Sequence, residues 1–281
     1  MSIITRRNFL IGGAFTAASS CIPKVEVLNL RNGYIRKYSP SRGSSRLFGY
    51  KVALTVGHGY FEGGSFDSGA VAGKITEFEL NLIQSHNIAT ILSQNGATVN
   101  VYVYKEKHHG ASLEQRGLNA SGHDLHISLH HNKYQDQSIQ GGEVLICGSA
   151  YTDEDKILAG AISDEMSKAT GLKNRGVKPQ SLGVLKSTPS NVVKCLTEPL
   201  FISDRSLSTN DILILSDAAS KGIASGVEKY LINIPSASEP SSLGLANMEL
   251  NQSTASPSSR KALAESIVLA DQDIDDLYKG H

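Results

Sequence analysis

The sequence predicts an α/β layered fold for residues 48–234. Strand and helix patterns alternate along this range, which is the arrangement of folds that pack helices against a sheet. Several strand segments are continuous apolar runs, as expected for strands that are covered on both faces. Hydrophobic residues make up 40% of the 281-residue chain, which is enough to build a substantial core.

The first 21 residues predict an export signal. Arg6 and Arg7 give it a positive start, and the apolar stretch that follows is too short to span a membrane. The arginine pair followed by Phe9 and Leu10 resembles a twin-arginine signal; an ordinary secretory signal with two arginines is the alternative. Cys21 resembles a lipoprotein attachment site, which would supply a lipid anchor. We therefore expect an exported protein of the periplasm or cell envelope.

The elements of the α/β range follow one another in a regular order. Helices are predicted at roughly 77–95, 153–170 and 217–231, and Thr152 and Ser216 are candidate N-caps of the last two. The predicted strands are Lys51–Val56, Thr98–Tyr104, Asp124–Leu129, Gly142–Cys147, Leu182–Lys186 and Val192–Thr197.

Both flanks of this range differ from it in composition. Residues 22–47 are basic and rich in serine and glycine, and residues 235–259 are rich in serine and proline, so both predict linkers. Residues 260–281 carry apolar side chains at spacings of three and four, which predicts an amphipathic helix. A regulatory contact of this helix with the domain is one hypothesis for its role.

Charge and cysteine content exclude two classes of function. Lysine plus arginine equals aspartate plus glutamate, at 27 each, so nucleic-acid binding has no electrostatic support. None of the three cysteines forms a C-x-x-C pair, which excludes a cysteine-rich zinc site.

Two histidines follow predicted strands, where α/β sheets bind ligands. His58 lies between two glycines directly after the first strand, and His130 closes the strand that begins at Asp124. Strand alternation places His126 and His130 on one face and His131 on the other, so we expect His130 and His131 not to share a ligand. We interpret His126 as a hydrogen-bonded core residue or a supporting group.

Two glutamates complete the candidate site. Glu77 opens a helix on its core-facing stripe, while Thr76 and Glu79 form a capping box. A buried carboxylate needs a partner, and a metal ion would serve; the alternative is that Glu77 only favours the positive end of the helix dipole. Two histidines and one glutamate are typical of a catalytic zinc site with an open position. Glu198 ends a strand and is a candidate general base, or a surface glutamate.

The order of these motifs resembles the type-3 family of zinc-dependent N-acetylmuramoyl-L-alanine amidases over nearly all of residues 50–231. The matching segments are Val56-Gly57-His58-Gly59, Asp67-Ser68-Gly69-Ala70, Glu77 with Asn81, Leu113-Glu114-Gln115-Arg116 before Asn119-Ala120, Ile127-Ser128-Leu129-His130-His131-Asn132, Asn174-Arg175-Gly176-Val177-Lys178 and Leu196-Thr197-Glu198-Pro199-Leu200-Phe201-Ile202-Ser203.

The resemblance implies a mixed, mostly parallel sheet, Zn²⁺ ligands at His58, Glu77 and His130, and a catalytic Glu198. It implies peptidoglycan as substrate, cut at the amide between muramic acid and L-alanine. Arg116 is expected to be structural or near the groove. The alternatives are a zinc peptidase or deacylase that acts on another cell-envelope amide, and a non-catalytic wall-binding module.

Overall fold

The computed structural model describes residues 23–30, 33–40, 46–148 and 150–233, and it confirms the α/β fold. The predicted signal at 1–21, the linker at 235–259 and the helix at 260–281 lie outside the described residues. The described residues up to Lys229 form one compact unit, and the end of the last helix, from Tyr230, is assigned to a second unit. None of the described helices is long and apolar enough to cross a bilayer.

Eight strands form one mixed sheet. In chain order they are β1 (Lys24–Leu30), β2 (Gly33–Ser39), β3 (Lys51–Val56), β8 (Thr98–Val103), β9 (Leu125–Leu129), β10 (Gly142–Cys147), β11 (Asn174–Gln180) and β12 (Val193–Glu198). Their spatial order is β1-β2-β8-β3-β9-β12-β10-β11. The four central strands, β8, β3, β9 and β12, run parallel, β11 runs parallel to β10, and the other neighbours pair antiparallel. The predicted mixed, mostly parallel sheet is therefore confirmed.

Two small hairpins lie between β3 and the first helix. They pair β4 (Gly59–Tyr60) with β5 (Phe66–Asp67), and β6 (Val71–Ala72) with β7 (Ile75–Thr76). Both hairpins follow the carboxyl end of β3, so they hold the chain at the edge of the sheet where His58 lies.

Helices cover both faces of the sheet. They are α1 (Glu77–Gln94), α2 (Leu113–Leu118), α3 (Asp153–Thr170), α4 (Gly183–Ser187) and α5 (Thr209–Asn233), with a short 3-10 helix at Lys107–His109. His126 of β9 contacts Thr188 at the end of α4, whereas His131 contacts α1 and α5. Because residues five apart in an extended segment point to opposite faces, α4 and the α1–α5 pair lie on opposite sides.

Helix α5 approaches α3 closely through two glycines. A Cβ atom at Gly226 would lie 2.5 Å from Cα of Ile162, and one at Gly222 would lie 2.6 Å from Cα of Met166. Any larger residue at either position would push the helices apart. The same helix carries Ser216, the partner of His131.

The linker predicted for residues 22–47 is wrong over Lys24–Ser39. These residues form the β1–β2 hairpin, and β2 pairs antiparallel with β8. Tyr34, Ile35 and Tyr38 are buried, whereas Arg36 and Lys37 between them are partly exposed. The basic composition hid this strand, although charged side chains are a usual feature of strands near a sheet edge.

Three other predictions along the domain need correction. The strand predicted at Leu182–Lys186 is the short helix α4, because a brief apolar run does not distinguish a buried helix from a strand. Helix α5 begins at Thr209, where Ser208 and Asp211 cap each other, so Ser216 lies inside the helix. Strand β11 was not predicted because its sequence is polar. Thr152 is the N-cap of α3, as predicted.

Candidate metal centre

His58 lies one residue beyond β3 in a backbone conformation that few residues with side chains adopt. Its φ is +67°, and it is the one non-glycine residue with positive φ in the described part of the chain. Gly59 follows with φ +86°, and a Cβ there would lie 2.5 Å from the Tyr104 carbonyl oxygen. The turn aims the imidazole along the carboxyl edge of the sheet, and such strain is found where the surrounding structure fixes a functional side chain.

Arg116 of α2 fixes this turn. Its Nη1 donates to the carbonyl of His58 at 2.5 Å, and its Nη2 donates to the carbonyl of Tyr60 at 2.9 Å. The guanidinium is 4.3 Å from the ring centroid of Tyr104, and the residue is buried. Because the buried Arg116 donates to backbone carbonyls and not to an acidic side chain, its role is to hold the backbone of this turn in place. The expectation of a structural Arg116 therefore agrees with the geometry.

Asp67 of β5 orients the His58 ring. The Oδ2 atom of Asp67 lies 2.8 Å from His58 Nδ1, and its Oδ1 accepts from the backbone N–H of Gly69 at 2.9 Å. The other ring nitrogen, Nε2, therefore points inward to Glu77. A carboxylate behind a histidine is the usual support of a metal ligand. Sequence reasoning gave Asp67 no role, although it lies in a segment that matched the family.

Glu77 is the first residue of α1, and its carboxylate is at the centre of the cluster. Thr76 and Glu79 form the predicted capping box, which leaves Glu77 free to turn inward. The Glu77 Oε1 atom lies 2.8 Å from His58 Nε2 and 3.0 Å from His130 Nδ1. Its Oε2 accepts from the backbone N–H of Ala70 at 3.0 Å. Glu77 is 5% exposed, as its core-facing position predicted.

Two glycines leave the space in which the side chains of His58, Glu77 and His130 meet. A Cβ at Gly57 would lie 2.5 Å from Cε1 of His130, and one at Gly69 would lie 2.6 Å from Oε2 of Glu77. The rings of His58 and His130 meet edge to face, with centroids 4.9 Å apart. One ligand atom from each of the three side chains lies within 4.8 Å of the other two. The structure therefore brings together three residues that are separated by up to 72 positions in the sequence.

The electrostatics of Glu77 and His130 suit a cation. At His58, burial is outweighed by hydrogen bonds and charge from Glu77 and Asp67, which raise the pKa, so a cation would have to displace a proton there. Burial alone would raise the pKa of Glu77, but hydrogen bonds and charge from His130 and His58 outweigh it and hold the pKa well below its usual range. Burial lowers the pKa of His130 despite the nearby Glu77. At neutral pH this leaves an ionised carboxylate and a neutral imidazole, which are the states that bind metal ions.

Glu198 is the last residue of β12 and lies beside the cluster. Strand β12 pairs with β9, and the N–H of His130 donates to the carbonyl of Thr197 at 3.1 Å. The Oε2 atom of Glu198 is buried and has no hydrogen bond to any described residue. Burial raises the pKa of Glu198 well above its usual value, and the charges of Glu77 and Glu143 raise it further. A carboxyl group with a raised pKa holds a proton more readily than an exposed glutamate, which suits it to accept and return one.

His126 and His131 are buried but do not join the cluster. The His131 Nδ1 lies 2.7 Å from Oδ1 of Asn81, and its Nε2 lies 3.0 Å from Oγ of Ser216. His126 lies between the hydroxyls of Thr55 and Thr188, at 2.8 and 2.7 Å. Both rings have protein partners on both nitrogens, so the predicted separation of His130 from His131 and the core role of His126 agree with the structure.

Comparison with known proteins adds a family match. A family model described as N-acetylmuramoyl-L-alanine amidase matches residues 52–233. The N-acetylmuramoyl-L-alanine amidase LytC of Bacillus subtilis (strain 168) is 28% identical over 185 residues, which are 65% of this chain and 36% of LytC. The uncharacterized protein YqiI of the same organism is 28% identical over 188 residues, which are 65% of this chain and 85% of YqiI.

Solved structures share the fold. The N-acetylmuramoyl-L-alanine amidase from Clostridium difficile 630 aligns with a TM-score of 0.58 and 24% identity, over 68% of this chain and all of that chain. The catalytic domain of the amidase CwlV from Bacillus (Paenibacillus) polymyxa var. colistinus aligns with a TM-score of 0.56 and 26% identity, over 65% of this chain and 98% of that chain.

Proposed function

The chain belongs to the N-acetylmuramoyl-L-alanine amidase family of peptidoglycan hydrolases, and we propose that it cuts the muramoyl–L-alanine amide with one zinc ion bound by His58, Glu77 and His130. The observation that carries this proposal is the approach of His58 Nε2 and His130 Nδ1 to the same Glu77 oxygen, at 2.8 and 3.0 Å.

The donor set fits zinc. Two imidazole nitrogens and one carboxylate make the composition of a catalytic zinc site that keeps a position open. The Glu198 oxygen without a hydrogen bond lies beside this set, and a buried polar atom without a partner normally implies a missing one. A bound zinc ion supplies a Lewis acid for the amide carbonyl and lowers the pKa of water at the reaction centre.

Other residues of the chain position the ligands and transfer the proton. Asp67 holds the His58 ring in position, and Arg116 holds the backbone that carries it. Glu198 takes the proton of the attacking water and returns it to the leaving nitrogen. The C–N bond of the amide breaks as the C–O bond forms, so the products are a muramoyl carboxylate and the free amine of L-alanine.

The test is the release of stem peptides from purified sacculi. We expect the wild-type protein to release peptides that begin with a free L-alanine amine, a chelator to stop the release, and added zinc to restore it. Mass analysis separates this from a zinc peptidase or deacylase, which would leave the muramoyl–alanine bond intact. A wild-type protein that releases nothing under any metal condition would favour a wall-binding module instead.

The location of the protein is a further part of the proposal. The predicted signal at 1–21 and a peptidoglycan substrate together support export to the periplasm or cell envelope. Cell fractionation tests the export, and labelling with a radioactive fatty acid, compared between wild type and Cys21→Ala, tests the lipid anchor. Deletion of residues 236–281 tests the regulatory contact of the C-terminal helix, because unchanged activity would exclude it.

A further inference from the structure

A cluster of two cations around one buried carboxylate lies on the outer strands of the sheet. The Nζ atom of Lys178 donates to Oε2 of Glu143 at 2.6 Å, and Nε of Arg175 donates to the same oxygen at 2.7 Å. The Nδ2 atom of Asn132 donates to the other oxygen of Glu143 at 3.1 Å. The cluster of Arg175, Lys178 and Glu143 therefore carries a net charge of about one positive unit at neutral pH.

The cations of this cluster have unused hydrogen-bonding capacity. Glu143 engages only Nε of Arg175, and both terminal nitrogens of that guanidinium lack hydrogen bonds among the described residues. Arg175 lies over the ring of Phe201 at 5.0 Å, which orients the guanidinium plane. The Arg175 and Lys178 side chains are 25% and 42% exposed, so a ligand can reach both. A fixed guanidinium with free terminal N–H groups is suited to bind a carboxylate through two hydrogen bonds.

The cluster lies next to the proposed reaction centre. Glu143 of β10 is the register partner of Glu198, and Asn132 is two residues beyond His130. Strand β11, which carries Arg175 and Lys178, is the next strand beyond β10. Neighbouring strands are about 4.8 Å apart, so the β11 backbone lies roughly 10 Å from that of Glu198, and the long side chains reach back over β10 to Glu143.

The proposed substrate has a carboxylate at a matching distance. In the peptidoglycan stem, L-alanine is followed by a glutamate joined through its γ-carboxyl, which leaves the α-carboxyl group free or amidated. Successive Cα atoms are about 3.8 Å apart, so this group lies roughly 6 Å from the scissile nitrogen. That nitrogen must sit within reach of Glu198, so a stem peptide that runs from β12 towards β11 would bring the α-carboxyl over β10 and near the cations.

We propose that Arg175 and Lys178 form a recognition site for the free α-carboxylate of the second stem residue, with Glu143 holding both cations in place. This inference rests on the proposed function for its substrate class. The competing interpretation is that Arg175 and Lys178 serve only to neutralise Glu143 in the folded protein.

Two matched substrates test the proposal. They are muramoyl-L-alanyl-D-glutamate with a free α-carboxylate and the same compound with an α-carboxamide, and in both the γ-carboxyl is blocked as an amide, as it is in the stem. For the wild type we expect a kcat/KM about 10- to 100-fold higher on the carboxylate, since a hydrogen-bonded charge pair would be lost with the amide. In Arg175→Gln this ratio should fall close to one, through a higher KM for the carboxylate substrate. Lys178→Gln, at a more exposed position, should lower the ratio less.

Glu143→Gln is the control that separates recognition from neutralisation. The amide oxygen of the variant can still accept hydrogen bonds from the cations and hold them, while the negative charge is removed, so the preference for the carboxylate should remain. If Arg175→Gln and Glu143→Gln impair both substrates equally, or if the wild type does not discriminate, the recognition site is excluded.

Calorimetric binding of the product dipeptide L-alanyl-D-glutamate, with its γ-carboxyl blocked as an amide, gives a second measurement. Arg175→Gln should weaken binding of the carboxylate form about tenfold and leave the amidated form unchanged. Cleavage of neither substrate would contradict the proposed function, and the binding result would then decide the inference. Equal binding of both forms by the wild-type protein would overturn it.

Discussion

Strand β9 contains a histidine in its interior and is followed by another at its carboxyl end, and their environments differ. His126 lies between two threonine hydroxyls. Because Thr188 already donates its hydroxyl hydrogen to the carbonyl of Val184, it accepts from His126 Nδ1, and Nε2 accepts from Thr55. His130 instead meets the carboxylate of Glu77 and the ring of His58.

The comparison shows that burial alone does not identify a metal ligand. Both histidines have a pKa lowered by burial, and that of His126 falls to about 3. They differ in their partners. Threonine hydroxyls occupy both ring nitrogens of His126, whereas His130 shares the Glu77 carboxylate with His58. We therefore expect the interior of this strand to serve stability and its carboxyl end to serve chemistry, and substitutions at the two places should separate these roles.

The largest effect on turnover is expected from Glu198→Gln, at the carboxyl end of the neighbouring strand β12. The amide keeps the size of the side chain but cannot accept the proton, so kcat should fall by about 10²- to 10⁴-fold. Zinc content should be unchanged, because Glu198 is outside the ligand set. Peptide release from sacculi and metal analysis of the same preparation check both points, and full activity in the variant would remove Glu198 from the mechanism.

Asp67→Asn should have a smaller effect at the same edge. The variant weakens the group that orients His58, and loss of such a supporting carboxylate typically lowers metal affinity about 10- to 100-fold. Competition with a zinc chelator measures the affinity. Ser68→Ala is the matched control in the same loop, and equal affinities in both variants would show that Asp67 does not support the site.

His126→Asn tests the interior of the strand. The shorter side chain cannot satisfy both threonines, and leaving a buried polar group unpaired costs about 1–3 kcal/mol. Denaturant unfolding should therefore show a less stable protein that still binds one zinc ion. Loss of zinc in a folded His126→Asn variant would contradict the assigned separation between interior and edge.

The free energy of unfolding should also depend on pH through His126. His126 has a pKa of about 3 in the folded protein and an ordinary value of about 6.5 when unfolded, so below that value the unfolded state binds the extra proton. The free energy of unfolding of the metal-free protein should fall as the pH drops from 6.5 towards 3. In His126→Asn this slope should be shallower, and an unchanged slope in this variant would contradict the assignment.

Sequence reasoning found the centre of the site because its signals are local. A histidine after a buried strand and a glutamate on the core side of a helix start can both be recognised without knowing their distant partners. Asp67 had no predicted role, and Arg116 was expected to be structural only from the family resemblance, because their contacts with the His58 loop span 9 and 58 positions. A carboxylate in a loop and an arginine in a short helix have no pattern that indicates such contacts.

The fold was predictable where apolar periodicity is strong and not where it is weak. Strands β3 and β10 lie at their predicted bounds, since continuous apolar runs mark buried strands. The β1–β2 hairpin and β11 carry many charged or polar residues at the sheet margins, where partial exposure leaves little hydrophobic signal. The cations proposed to recognise substrate lie on one of these margins.

Zinc content of the two adjacent histidine variants tests the central claim most directly. After reconstitution and removal of free metal, the wild-type protein should hold about one zinc ion, His131→Asn should hold the same, and His130→Ala should hold less than about a tenth of it. The result that would contradict the account is full zinc occupancy in a folded His130→Ala protein, because the ion would then be bound elsewhere.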